Sequence, residues 1–183
     1  MKGIVFTEFL EMVEREMGMD MTDRIITAAT LPNSGAYTSV GTYDHRELVR
    51  LIGALSEATG KPASDLVRGF GEYLFQRFTI AYSSFFEGVN TTFEFLRNVD
   101  RYVHVEVRKL YPDAELPSFR YENPSVNELV LQYESPRGFG DLAEGLIRGC
   151  IAHYKESIRL TRADLPVTDG KHRVRFHLVR ETA

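Results

Sequence analysis

The chain has 183 residues, 43% hydrophobic and 26% charged, enough for one packed domain or two closely joined subdomains, which excludes a disordered chain. A net charge of −4 and a pI near 5.8, with no concentrated basic face, argue against nucleic acid or an anionic membrane as partner. Cys150 is the only cysteine, which excludes a disulfide framework and a cysteine-rich zinc site.

The N-terminus turns acidic within its first eight residues and lacks an apolar signal core, and no apolar run approaches membrane-spanning length. A soluble, cytoplasmic protein is therefore expected. Phenylalanine (12) and tyrosine (9) are plentiful while tryptophan is absent, and most of the phenylalanines fall between Phe70 and Phe95. Such clustering builds a core, and it also suits a cavity for a flat apolar ligand.

In chain order, Lys2 to Met17 is predicted to be an amphipathic helix that sets Val5, Phe9, Met12 and Val13 against Glu8, Glu11, Glu14 and Arg15. Gly18 ends it, and Asp20 is expected to cap a short helix reaching about Thr30. Residues 31–41 read as a loop or hinge. Asp44 and Glu47 form a capping pair for a helix through Leu48, Leu51, Ile52 and Leu55, stopped at Gly60. Pro62 and Ser64 restart the chain into a buried helix from about Ala63 to Phe78, and 82–88 is a connector.

Thr91 to Tyr111 is the best-defined stretch. Thr91 and Glu94 make a capping box, and Phe93, Leu96, Val99, Val103, Val107 and Leu110 recur at helical spacing, which predicts one unbroken helix with a buried stripe. Pro112 stops it. Beyond it, Leu116 to Tyr121 and Glu128 to Tyr133 alternate like strands with Asn123-Pro124 as their turn. Phe139 to Tyr154 reads as a helix, and Ile158 to Leu160 and Val174 to Val179 as strands around Asp169-Gly170. Helices first, then strands enclosing one helix, predict an α+β fold.

Few residues carry chemistry. His104 stands on the shoulder of the stripe, one turn after Asp100. A lone histidine there is ordinarily a hydrogen-bonded or solvated residue, but it is also a potential ligand. Asp100, His104 and Glu106 resemble a metal cluster, yet a helix puts Glu106 on a different face from the other two. Tyr133, Ser135 and Arg137 fall on one side of a strand end. They could bind carboxylates through a phenol, a hydroxyl and a guanidinium fork, or simply end a strand in a turn. No glycine-rich phosphate loop, nucleophile elbow or HExxH motif is present, so the chain is not read as an enzyme. Gly69 and Gly71 inside a helix read as a close-packing point.

Taken together, Met1-Lys2-Gly3, Thr59-Gly60-Lys61, Val103-His104, Leu116-Pro117 and, most specifically, Tyr133-x-Ser135-x-Arg137 resemble the H-NOX family, the haem nitric oxide/oxygen binding domains. The resemblance runs nearly end to end. It implies an N-terminal helical subdomain (1–62) packed on a second subdomain of helices and a small antiparallel sheet (63–183), with haem b between them.

It further implies His104 as the axial iron ligand, Tyr133, Ser135 and Arg137 on the propionates, and Pro117 pressing the porphyrin out of plane. The distal pocket would be Val5, Phe9, Leu74, Leu142 and Leu146. Relatives that bind dioxygen carry a tyrosine where Leu142 stands, so nitric oxide and carbon monoxide are the expected ligands. Breakage of the bond between iron and His104 would then regulate a separate histidine kinase or cyclic-di-GMP enzyme, since no output domain is expected on this chain. Some bacterial relatives hold a structural zinc, but with Gly140, Leu142 and Arg173 in that neighbourhood and only Cys150 available, none is expected here. Two rival readings use the same residues: a module binding a fatty acid or other apolar ligand by Arg137, and a metal-dependent hydrolase using Asp100 and His104.

Overall fold

The structure is a computed structural model and describes residues 1–181. Helix α1 (Gly3–Met17) is followed by α2 (Met19–Ala29), with Gly18 at φ +86° joining them. Asp20 lies inside the first turn of α2 and does not cap it, because the glycine itself makes the corner. In α3 (His45–Thr59), the Asp44 carboxylate accepts the Arg46 N–H at 3.0 Å, and Gly60 closes the far end in the left-handed conformation. Helix α4 (Ala63–Ala81) is longer than its sequence pattern and is followed by a 3-10 turn at Ser83–Phe85. No helix among the described residues is long and apolar enough to cross a membrane.

The stretch after Thr91 departs from expectation. The cap forms as read, with the Thr91 hydroxyl accepting the Glu94 N–H at 3.2 Å, while Glu94 reaches back to the N–H of Asn90 at 3.0 Å. The single helix is instead three pieces: α5 (Thr92–Asn98), a π turn (Val99–Val103) and α6 (His104–Leu110). A π turn holds an extra residue, so the face that follows it is rotated relative to an unbroken helix. Phe93 and Leu96 remain buried, whereas Val99, Val103 and Val107 are half-buried and Leu110 is 59% exposed.

Strand β1 (Ser118–Ser125) pairs antiparallel with β2 (Glu128–Ser135). The reversal is at Val126-Asn127. Asn123-Pro124 instead lies in an irregularity of β1, an edge strand where a missing N–H costs little. After α7 (Gly140–Tyr154) come β3 (Ile158–Thr168) and β4 (Lys171–Arg180), joined at Asp169-Gly170, both with positive φ. The sheet order is β1-β2-β4-β3, all antiparallel, an α+β architecture.

Two hydrophobic clusters form the core. One lies among α1 to α4 around Phe6, Phe9, Leu51 and Phe70. The other lies between the sheet and helices α5 and α7, where Leu129, Leu131 and Tyr133 of β2 sit opposite Leu178, Phe176 and Val174 of β4. Helix α4 supplies Leu74 to the first and Phe75 to the second.

Helices α4 and α7 cross at glycines. A Cβ on Gly71 would come within 2.6 Å of the Leu142 carbonyl oxygen, and one on Gly145 would overlap that of Arg68. Gly69, by contrast, has open space, so the close contact belongs to Gly71 alone of that pair. Gly145→Ala should therefore destabilise the protein despite the better helix former. The gain in propensity is about 1 kcal/mol, while overpacking costs typically ~1–3 kcal/mol, and backbone cannot yield as a side chain can. A melting curve several degrees below wild type is expected; an unchanged one would show that the crossing has slack.

Candidate functional site

Between the two clusters lies a cavity of about 560 Å³, within the range of roughly 300–1,000 Å³ typical of cofactor and small-molecule sites. Every element from α1 to α7 except α2 contributes to its wall. The wall is largely apolar, including Phe75, Phe78, Phe85, Phe86, Phe95 and Phe119. Val99, Val103, Val107 and Leu110 also line it, which explains their incomplete burial. The rotated half of the predicted stripe faces this space.

His104 is on the same wall, only 9% exposed. Its Nδ1 lies 3.1 Å from Asp100 Oδ1, a contact made possible by their i,i+4 spacing. Glu106 takes no part and pairs with Lys109 at 2.6 Å. Asp100 is thus not a merely solvated charge but the partner of His104. A carboxylate on Nδ1 fixes the tautomer that leaves the Nε2 lone pair available to a metal. Burial lowers the His104 pKa and outweighs the opposing pull of Asp100, so the neutral, ligating form is favoured.

Tyr133, Ser135 and Arg137 all reach the cavity. Ser135 Oγ accepts the Arg137 N–H at 3.2 Å, fixing the turn that follows β2. The Arg137 guanidinium donates to the Glu115 carbonyl at 3.1 Å and pairs with the Glu115 carboxylate. Two further basic groups share this cavity and feel the field of Arg137: the amino group of Met1 and His45. Burial lowers the pKa of each, and Arg137 adds to the effect. Neither was legible in the sequence. The amine becomes part of the wall because it donates to the Tyr43 carbonyl at 2.7 Å, and His45 read only as the residue after a cap.

Pro117 lies on the wall, as do Val5, Leu74, Leu142 and Leu146. Phe9 does not. It is fully buried one turn beyond Val5, with its ring 5.2 Å from Phe70 in an edge contact inside the first cluster. Two phenols missed by sequence reasoning, Tyr82 and Tyr111, also line the cavity; burial and then Tyr111 push the Tyr82 hydroxyl up to about 12. Among the described residues, no group of three or more His, Cys, Asp or Glu side chains is placed to hold a metal ion.

This donor set suits one kind of occupant. A single imidazole with its far nitrogen free, apolar walls and a cluster of donors for carboxylates fit a flat apolar group carrying a metal and acidic side arms. The model of the haem-NO-binding family matches residues 2–162. The chain belongs to the H-NOX family.

The fold agrees. The ferrous, unliganded H-NOX protein of K. algicida is 36% identical, with a TM-score of 0.91, and the match covers 100% of this chain and 98% of that one. A point mutant of the same protein gives 35% identity, a TM-score of 0.90 and coverage of 100% and 97%. A point mutant of T. tengcongensis H-NOX has the same fold at 24% identity, with a TM-score of 0.90 and coverage of 100% and 98%. Among curated proteins no sequence match is found. H-NOX domains bind haem, and the cavity of this one has the residues to do so.

Proposed function

We propose that this H-NOX domain is a nitric oxide sensor, not an enzyme, in which His104 tethers ferrous haem b and its release reports the gas to a separate protein. The observation that carries the reading is His104 itself, buried on the cavity wall with Nδ1 engaged by Asp100. When bound, haem would supply an iron able to take both the His104 nitrogen and a gas molecule.

Tyr133, Ser135 and Arg137, with the Met1 amine and His45 beside them, would hold the propionates. Pro117 would press on the ring. Val5, Leu74, Leu142 and Leu146 would form the gas side, where side chains without polar atoms give dioxygen no hydrogen bond but do not hinder nitric oxide or carbon monoxide. Residues 1–62 and 63–183 would act as two subdomains across the cavity, and the change between them would be read by a partner. By family precedent that partner is a histidine kinase or a cyclic-di-GMP enzyme.

The test is an absorption spectrum of the purified protein under nitrogen and then with nitric oxide. A strong Soret band that shifts when nitric oxide is added is expected. A colourless protein from haem-replete cells would instead favour an apolar ligand, such as a fatty acid, held by Arg137.

A further inference from the structure

We propose that Lys2, Thr42 and Asp113 form a latch through which the N-terminal helices follow the position of the His104 helix. The inference rests on the sensor reading above and adds where the movement is passed on.

The latch joins two parts of the chain that the cavity otherwise separates. Asp113 comes three residues after the end of α6, and it is fixed to that helix through a turn. Tyr111 N–H donates to the Val107 carbonyl at 2.8 Å, and Ala114 N–H to the Tyr111 carbonyl at 2.9 Å, closing a tight turn around Pro112-Asp113. The ring of Pro112 removes freedom at the first corner of that turn. A displacement of α6 therefore moves the Asp113 carboxylate with it.

On the other side, Lys2 and Thr42 are also held rigidly. They form an isolated antiparallel bridge, and Gly3 N–H donates to the Gly41 carbonyl at 2.8 Å and Ile4 N–H to that of Ser39 at 2.9 Å. The two backbones approach so closely at Gly3 that a Cβ there would overlap the Thr38 carbonyl oxygen. Helix α1, which carries Val5 on the cavity wall, starts at this point.

Lys2 and Thr42, joined to each other, both reach across to Asp113. Lys2 Nζ donates to Thr42 Oγ1 at 2.8 Å and to Asp113 Oδ1 at 3.3 Å, and the Thr42 hydroxyl donates to Asp113 Oδ2 at 2.6 Å. The threonine hydroxyl thus accepts from one partner and donates to the other. The Lys2 ammonium also lies 4.8 Å from the centre of the Tyr111 ring, the last residue before the turn. Its side chain is only 12% exposed, while that of Asp113 is 57% exposed. An ion pair with so exposed a carboxylate contributes little to stability, so its position, not its strength, is its significance. Lys2, Thr42 and Asp113 are positioning residues: none needs to touch the gas.

The test is hydrogen–deuterium exchange over residues 1–44 of the haem-loaded protein, with and without nitric oxide, alongside the Soret band. Wild type should show a nitric oxide dependent change in exchange. In Asp113→Asn and in Thr42→Val that change should be lost while the Soret shift is kept, and Asp113→Glu, which retains the carboxylate, should keep both. An exchange response in Asp113→Asn equal to that of wild type, with the Soret shift intact, overturns the latch and leaves the sensor reading standing. Failure of the wild-type Soret band to respond to nitric oxide overturns the sensor reading, and the latch with it. Circular dichroism of each variant checks that the fold is unchanged.

Discussion

A His104→Gly variant should lose haem during purification and regain its Soret band when imidazole is supplied. The expected loss of affinity exceeds the ~10–100-fold that removing a supporting residue behind a metal ligand costs, because the ligand itself is gone. Asp100→Ala is the internal control. It removes the partner 3.1 Å from Nδ1 and should fall within that smaller range. The imidazole-rescued variant also isolates the mechanism, since free imidazole is not attached to α6. If its conformational response to nitric oxide remained as full as that of wild type, the tether would be the wrong explanation.

The second large effect is on the choice of gas. Wild-type protein in air-saturated buffer should show no stable dioxygen complex, whereas Leu142→Tyr should form one. Leu142 stands on α7 at the cavity wall beside Leu146, and its replacement would bring a phenol donor among the apolar side chains there. A hydrogen bond to a group carrying developing charge is worth about 1.5–3 kcal/mol, or roughly 10–150-fold in affinity. The phenols of Tyr82 and Tyr111 stand on the same wall but at the ends of α4 and α6, and each is the other's neighbour. A stable oxygenated spectrum from the wild type would show that one of them, or another donor, reaches the gas.

These expectations rest on residues that differ in how much the sequence revealed. The Asp44 cap and the Gly60 stop were legible because both depend on a few consecutive residues. The β2 end was legible in part: strand alternation puts Tyr133 and Ser135 on one side, while Arg137 lies past the strand and reaches the cavity from the turn that Ser135 holds. Asn123-Pro124 misled because proline signals turns strongly, yet an edge strand accommodates it. Phe9 misled differently. Helical periodicity puts it on the same side as Val5, but α4 brings Phe70 against it and leaves it inside the core. The Met1 amine and His45 could not be found by any local pattern, because only the folding of residues 39–43 against the N-terminus brings them to the cavity.

The π turn is the most instructive miss. Apolar spacing from Phe93 to Leu110 fits a regular helix, and a one-residue insertion in the hydrogen-bond ladder leaves no mark on composition. Its consequence reaches beyond this chain's geometry to the way it tolerates change. The insertion sits immediately before His104, where it sets the rotational phase of everything downstream. Substitutions within Val99–Val103 can be absorbed like any others, but straightening the segment into a regular helix at its present length would swing the imidazole by about 100°, the angle per residue of an α-helix. A segment so straightened would carry Val107 and Leu110 away from the cavity wall together with His104. The extra residue in the hydrogen-bond ladder, more than the composition of the segment, is what the histidine depends on.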